Sequence, residues 1–330
     1  MGGINSFYDL YVSVGDTCRP AFHLREHDLR IEAYPLDWMT RYSLDTVIHL
    51  FETKFEDFFV EIKDESVEPF GHCRRVRDIK NNIISIHHFS WDKDAEQSKI
   101  EFIDKMKKRF KRLDESMNNA KKVVLLCYRT DTIDKLQYFL KRISLMYPHL
   151  EIKLINMRNN PEMDVNLYEK RMYEIDDRLF IEDYCFNDKF NPDVAKYGDF
   201  AGNAPIWIGV LQKYYNKNKI QILHRLRDVE NVVIYGAGGS CKHIIYRFEM
   251  YNISIKGIAV TDVFSNPTSV EKYKVSVIED YEKDSKIIIS IVDREEAEKV
   301  KRMLISKGYE NIFLVSDYDF WYRDYSNIFE

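Results

Sequence analysis

Short apolar runs alternate with amphipathic stretches along the whole chain, and this pattern predicts an α/β protein. Short runs are typical of buried strands, whereas apolar residues recurring roughly every three or four positions indicate helices. The first run, residues 11–14, is followed by a turn at 15–17 and by a helix predicted to start near Cys18 or Pro20. Cys18 therefore stands where a strand passes to the N-terminus of a helix.

Residues 1–215 form the first predicted domain, and its clearest feature is a βαβ unit over residues 121–158. Such a unit requires parallel strands and a right-handed crossover. Residues 159–205 show little periodicity and receive no assignment. The other elements predicted here are helices at 44–58, 97–119 and 204–215 and a strand at 83–86.

A smaller second domain is predicted over residues 229–330, after a linker at 216–228. The length of 330 residues agrees with two domains. Strands alternate with helices at the spacing of a small, doubly wound parallel sheet of the Rossmann type. Predicted strands cover 232–235, 255–260, 286–291 and 312–315, and predicted helices cover 241–251 and 294–307.

Charge and cysteine content narrow the class of protein. The net charge of −5 argues against nucleic acid as the main partner, because that partner usually requires a basic face. The 5 cysteines lie far apart and form no CxxC pair, so we expect neither a disulfide framework nor a metal site. A reducing, cytoplasmic location fits this cysteine usage. No apolar run approaches the roughly 20 residues that a membrane-spanning helix needs.

Cys18 is the candidate nucleophile. The unpaired N–H groups and the positive dipole end of a helix favour a thiolate, so the pattern predicts a lowered pKa for this thiol. Asp16 lies in the turn just before it, where a carboxylate can stabilise the turn. The alternative is a buried, inert cysteine.

A cysteine nucleophile needs a base that takes and later returns a proton, and histidine suits this near neutral pH. His87 and His88 follow the predicted strand 83–86. Neighbouring strand residues point to opposite faces, so only one of the two should reach Cys18. If Ile84 and Ile86 point into the core, His87 emerges on the other side and is the favoured base.

Five segments carry a resemblance to a bacterial family of papain-like cysteine peptidases. They are VSVGDTCRPAFHLREHDLR, EAYPLDW, FEDFF, IISIHHF and KKVVLLCYR. The resemblance extends over roughly residues 10–210. It implies Cys18 as nucleophile, His87 or His88 as its partner, and Asp37 as an orienting carboxylate or structural anchor. Arg129 ends the last segment at a strand terminus and is a candidate for binding an anionic substrate group.

The first domain is also loosely similar to capsule-associated acetyltransferases that use Cys, His and coenzyme A. Both groups of proteins carry out acyl transfer. In this chain, that reaction would have Cys18 attack a carbonyl while N–H groups at the helix start stabilise the oxyanion. Release of the acyl group to water makes a hydrolase, and release to a sugar hydroxyl makes an O-acyltransferase. The sequence leaves both open.

The stretch VVIYGAGGSCKHI in the second domain has the strand, glycine-rich turn and helix start of a dinucleotide fingerprint. Gly236, Gly238 and Gly239 are candidates for approaching a phosphate, and Asp262 for holding a ribose. Cys241 stands where the third glycine belongs. The region resembles Rossmann-like modules appended to bacterial sugar and cell-surface biosynthesis enzymes. CoA or a nucleotide is the candidate cofactor, and the alternative is a degenerate module that dimerises the chain.

These observations favour a cytoplasmic bacterial enzyme of acyl transfer in surface polysaccharide or glycoconjugate metabolism, with a small-molecule or glycan substrate. Two other classes of function stay open. One is a non-catalytic scaffold for a glycan biosynthesis pathway. The other is a nucleotide-sugar-binding enzyme that uses the second domain, through which the chain could also form a homo-oligomer.

Overall fold

A computed structural model describes residues 7–67, 73–189, 199–220, 230–291 and 293–314. The chain divides into two compact units, residues 1–217 and 218–330. Each unit has its own hydrophobic cores. Most of the predicted linker at 216–228 lies outside the described residues.

Both strands and helices build the first unit, in agreement with the α/β class. Its elements in chain order are β1 (Leu10–Ser13), α1 (Arg19–Glu26), β2 (Met39–Thr40), α2 (Leu44–Glu52), β3 (Ile62–Asp64), β4 (Cys73–Asp78), β5 (Ile83–Ser90), α3 (Ala95–Asn119), β6 (Lys122–Tyr128), α4 (Ile133–Met146), β7 (Glu151–Asn159), β8 (Tyr168–Glu174), β9 (Leu179–Phe186) and α5 (Ala204–Leu211).

A five-stranded sheet in the order β1-β6-β7-β9-β8 forms the centre of this unit. The first four strands are parallel and β8 is antiparallel to β9. The predicted βαβ unit is confirmed as β6, α4 and β7. Alternate strand residues enter different cores, because Leu125 packs with α2, α3 and α4, whereas Leu126 packs with α1 and α5. Because β1 and β6 are parallel neighbours, their carboxyl ends lie at the same edge of the sheet.

A second, antiparallel sheet in the order β2-β5-β4-β3 lies within the first unit, and the sequence indicated only β5. Arg74 pairs with Phe89, whereas Val76 pairs with Ser85. Residues 86–88 of β5 therefore stand opposite Arg75 alone, which is a bulge. A bulge re-aims the side chains that it contains.

Local signals explain where two helices begin and end. The side chain of Asp94 caps α3, with Gln97 completing a capping box, so this helix begins at Ala95. The predicted helix 44–58 instead stops at Glu52, because Lys54 and Phe55 adopt positive φ angles of 53° and 58°. Such angles cannot continue a right-handed helix.

The second unit is a parallel sheet flanked by helices. Its elements are β10 (Val232–Tyr235), α6 (Gly239–Met250), β11 (Ile255–Val260), β12 (Ser269–Val270), β13 (Tyr273–Val277), β14 (Ile287–Ile289), α7 (Arg294–Ser306) and β15 (Ile312–Leu314). The strand order is β12-β13-β11-β10-β14-β15, and all except β12 are parallel. The first strand of the unit is thus central, and later strands are added on both sides of it. This order creates a topological switch at the carboxyl end of β10.

Within the described parts of the chain, no helix is both long enough and apolar enough to span a bilayer.

Candidate active site

Cys18 occupies the N-cap of α1, so the predicted position at a strand-to-helix junction is confirmed. Pro20 follows within the first turn, where its fixed φ suits a helix start and its missing N–H removes no hydrogen bond. The backbone N–H of Arg19 is directed to Thr17 Oγ1 at 3.3 Å. The first turn of α1 therefore offers fewer free N–H donors to an oxyanion than the sequence suggested.

The Cys18 thiol is buried, with 2% of the residue exposed. Burial, followed by the nearby negative charge of Asp37, raises the pKa of this thiol to about 12. The predicted lowering of the Cys18 pKa is therefore wrong for this structure. The helix terminus is present, but removal of the sulfur from water has the larger effect.

Asp37 is fully buried in the segment 34–42, which lies between α1 and α2 and contains β2. Its Oδ2 accepts hydrogen bonds from the Tyr34 backbone N–H at 2.8 Å and from Arg30 at 3.1 Å. No described residue donates to Oδ1. Burial raises the pKa of this carboxyl, although the Arg30 charge opposes the shift. Asp37 is thus anchored through one oxygen and has a second oxygen available.

Trp38 connects this segment to the bulge of β5. Its ring meets the His87 ring edge-on, with centroids 5.4 Å apart. The guanidinium groups of Arg25 and Arg30 each lie 5.5 Å from the Trp38 centroid. The negative charge of Asp37 contributes to the raised pKa of Cys18, and the next residue, Trp38, contacts His87. Both candidate residues therefore have a neighbour in this short segment.

The two histidines have different surroundings. The Ser85 hydroxyl lies 3.0 Å from His88 Nδ1, and Arg109 donates to His88 Nε2 over 3.4 Å. Since Arg109 can only donate, Nε2 accepts and the proton of a neutral imidazole resides on Nδ1. Burial, and then the charge of Arg109, lowers the pKa of His88 to about 3. His88 is therefore engaged at both nitrogens and is poorly suited to take up a proton.

His87 is exposed, and no described residue forms a hydrogen bond with its ring. Partial removal from water lowers its pKa below the ordinary value. The sequence argument for His87 used a wrong premise, because Ile84 is buried but Ile86 is exposed. Hydrogen bonding, rather than strand alternation, favours His87 as the base.

Tyr42 is a buried neighbour of Arg129, and the sequence analysis did not identify it. The Arg129 guanidinium lies 5.2 Å from the centre of the Tyr42 ring and donates to the Tyr42 carbonyl at 2.8 Å. Burial raises the pKa of the Tyr42 hydroxyl; the charge of Arg129 opposes the shift, and those of Asp16, Cys18 and Asp37 add to it. The only available signal was an aromatic residue just after the DW segment.

Asp16 belongs to the turn that carries Cys18. Its backbone carbonyl accepts from the Arg41 N–H at 2.8 Å, which ties the turn to the segment after β2. Burial raises the pKa of the Asp16 carboxyl, and the charge of Arg129 opposes this shift. A turn-stabilising role for Asp16 stays a prediction that agrees with these contacts.

Arg129 is buried beside the same turn. Its guanidinium donates to the carbonyl of Tyr42 at 2.8 Å and to that of Val14 at 3.2 Å, and it lies 3.7 Å from Asp131. These contacts join the ends of β1 and β6 to the segment 34–42. Substrate binding by Arg129 stays a prediction, but the contacts describe a positioning residue.

The glycine-rich loop of the second unit follows β10. Gly236 has a φ of 104°, and a Cβ there would lie 2.8 Å from Ser290 Oγ. A Cβ at Gly238, the N-cap of α6, or at Gly239 would meet no atom within 4 Å. Gly236 is thus required by the turn, whereas the other two glycines border open space. Cys241 lies within α6, and its side chain is buried in a hydrophobic core with Ile244 and Phe248.

Asp262 is exposed and lies two residues beyond the end of β11, the strand next to β10. Its carboxylate accepts from the Ser265 hydroxyl at 2.6 Å and from the Phe264 N–H at 2.9 Å. The Ser265 hydrogen bond holds the pKa of Asp262 below its ordinary value. The residue is therefore charged and accessible near the topological switch.

No group of three or more His, Cys, Asp or Glu side chains among the described residues is arranged to hold a metal ion.

Residues 9–151 match the sequence model of a family described as "Putative papain-like cysteine peptidase". The match covers less than half of the chain and contains Cys18, Asp37, His87 and His88. It supports a cysteine-dependent, hydrolase-type role. Comparison with curated proteins and with solved structures finds no match.

Proposed function

We propose that the first unit is a cysteine-dependent acyl-transfer enzyme in which Cys18 is the nucleophile and His87 the general base. The main support is the segment 34–42, because the charge of Asp37 contributes to the pKa of the Cys18 thiol and Trp38 contacts the His87 ring. The family match over residues 9–151 points to the same class of chemistry.

The reaction starts from a protonated thiol. As Sγ attacks the acyl carbonyl, its proton passes to a free nitrogen of His87, and the carbonyl oxygen becomes an oxyanion. His87 then returns the proton to the leaving group, which leaves a thioester on Cys18. Attack by water or by an acceptor hydroxyl releases the acyl group and regenerates the thiol.

Asp37 completes the constellation as an orienting carboxylate. Arg30 and the Tyr34 N–H fix its Oδ2, so its Oδ1 can accept a hydrogen bond from a group that moves into the site. The imidazolium of His87 formed during the reaction is such a donor. His88 contributes by packing, since its hydrogen bonds to Ser85 and Arg109 fix the end of the bulge.

The acceptor that we propose is a sugar hydroxyl or water in bacterial surface polysaccharide or glycoconjugate metabolism. The support is the resemblance of residues 229–330 to modules appended to enzymes of that kind. The reaction written above balances with either acceptor.

Acyl-enzyme formation tests the nucleophile. The full chain is mixed with p-nitrophenyl acetate and acetyl-CoA, and intact-mass spectrometry followed by peptide mapping locates any acetyl group. We expect acetylation of Cys18, loss of the adduct in Cys18→Ser, and a rate about a hundredfold or more lower in His87→Ala. Cys73→Ser and His149→Ala are the matched controls, because both residues lie outside the site.

Acetylation that persists in Cys18→Ser, or that is equally fast in His87→Ala and His149→Ala, would show that the proposal is wrong. An unmodified chain across a wider panel of esters and thioesters would instead favour the non-catalytic scaffold.

For the second unit we propose nucleotide or CoA binding at the glycine-rich loop. The observation in favour is the strand order, which places the switch point at the carboxyl end of β10, directly before Gly236. Gly238 and Gly239 border open space, which we assign to a phosphate, and Asp262 is exposed after β11, which supports its assignment as the acceptor for a ribose hydroxyl.

Alanine at Gly239 tests this site without a clash inside the protein. We expect NAD, CoA or a nucleotide sugar to raise the melting temperature of the wild-type chain and to have less effect on Gly239→Ala. A flat response across this panel contradicts nucleotide binding, and the dimerising module then becomes the better interpretation.

A further inference from the structure

A cleft of about 230 Å³ opens beside His88, between the end of β5 and the N-terminal half of α3. His88 and Phe102 form its apolar wall, with their rings 5.4 Å apart. His87, the candidate base, precedes His88 in the bulge, so the cleft begins one residue along the strand from it.

The polar rim of this cleft is mostly paired. Lys93 forms an ion pair with Glu101 at 3.2 Å, and Asp92 accepts from the Ser90 hydroxyl at 2.8 Å. Among the described residues, Lys105 is the only charged side chain lining the cleft for which no hydrogen bond or ion pair is found. Lys105 is an exposed residue, so a ligand can reach it.

The surroundings of Lys105 favour an anionic ligand. Arg109 follows Lys105 by one turn of α3, so the two cations lie on the same face of the helix. Burial, and then the charge of Arg109, lowers the pKa of Lys105. Arg109 in turn uses one donor on His88 Nε2. A carboxylate beside Lys105 would relieve this repulsion and gain a charge-assisted hydrogen bond.

We propose that this cleft is the specificity site for an acidic side chain of the acyl substrate, with Lys105 as its recognition residue. The assignment of the ligand as a substrate rests on the proposed function. The cleft, its apolar wall and the unpaired Lys105 do not depend on the proposed function.

A direct binding measurement tests the cleft proposal independently of the proposed function. N-acetyl-L-glutamic acid α-amide and its isosteric neutral partner, N-acetyl-L-glutamine amide, are titrated by NMR into the full chain carrying Cys18→Ser, which removes turnover. We expect the acidic probe to bind about fivefold tighter than the neutral one. Lys105→Ala should remove that preference, and Lys105→Glu should transfer it to N-acetyl-lysine amide. Lys107→Ala, on the same helix but not lining the cleft, should retain it.

Equal affinity for the acidic and neutral probes overturns the proposal, as does an unchanged preference in a Lys105→Ala chain with wild-type circular dichroism and melting temperature. If the probes show the Lys105-dependent preference while Cys18 forms no acyl-enzyme, the cleft stands and the hydrolase proposal fails. If Cys18 is acylated but esters of glutamate and glutamine react equally, the hydrolase stands and the cleft proposal fails.

Discussion

The burial of Cys18 predicts that this thiol reacts slowly with iodoacetamide in the free protein. Its pKa is raised from 9.0 to about 12. A shift of three units lowers the thiolate fraction near neutral pH about a thousandfold, and only the thiolate reacts. Cys127 and Cys241 are buried and their pKa values are also raised to about 12. We therefore expect these three thiols to be labelled last.

The assay is a timed pulse of iodoacetamide at pH 7.5, followed by digestion and mass spectrometry of each cysteine peptide. Cys73 and Cys185 are the internal references, because both are only partly buried. The chain in 6 M guanidinium is the control in which all five thiols should react at similar rates. Labelling of Cys18 ahead of Cys73 in the folded chain would refute the reasoning, because it would require an accessible thiolate.

Three further predictions address electrostatics and backbone conformation. Asp37→Asn weakens the buried ion pair with Arg30, so we expect about 3 kcal/mol of destabilisation in urea unfolding. The same substitution removes the negative charge that opposes the Cys18 thiolate, so iodoacetamide should label Cys18 faster relative to Cys127. Burial would raise the pKa of Glu182, yet hydrogen bonds from Tyr184 and Lys170 and the Lys153 charge outweigh it and hold the pKa at about 2 instead of 4.5. Its ionised form then contributes about 3 kcal/mol above pH 4.5 that is lost as the pH falls towards 2, and Glu182→Gln should flatten the urea-unfolding profile in that window. Gly236→Ala should lower the stability of the second unit by about 1–3 kcal/mol in thermal unfolding, whereas Gly239→Ala should leave it nearly unchanged.

Features set by neighbouring residues were predictable from the sequence. The strands 232–235 and 255–260 and the start of α1 follow from short apolar runs and from Pro20, and the structure confirms them. The βαβ unit at 121–158 is confirmed for the same reason. Within the unassigned residues 159–205, β8 is exposed along almost its whole length, so it carries no alternation of buried and exposed positions. The buried strand β9 in the same stretch was missed.

Features set by distant pairing were not predictable. The bulge in β5 depends on the register with β4, and this register places Ile86 in solvent and turns His88 towards Ser85 and Arg109. Nothing within the short run 83–90 indicates that three of its residues face Arg75 alone. Two adjacent histidines of identical chemistry therefore acquire different roles through contacts far away along the chain.

Two opposing effects act on the pKa of the Cys18 thiol: the helix N-terminus lowers it, and burial with the Asp37 charge raises it. A charge near a helix terminus typically gains about 0.3–1 kcal/mol. The rise in the Cys18 pKa from 9.0 to about 12 corresponds to about 4 kcal/mol against the thiolate. Burial and the Asp37 charge therefore exceed the helix contribution several-fold, and position at a helix start cannot by itself predict a reactive cysteine. For Cys18 to act as a nucleophile, its proton has to leave as the carbon–sulfur bond forms, which makes an unengaged base such as His87 a requirement of the mechanism.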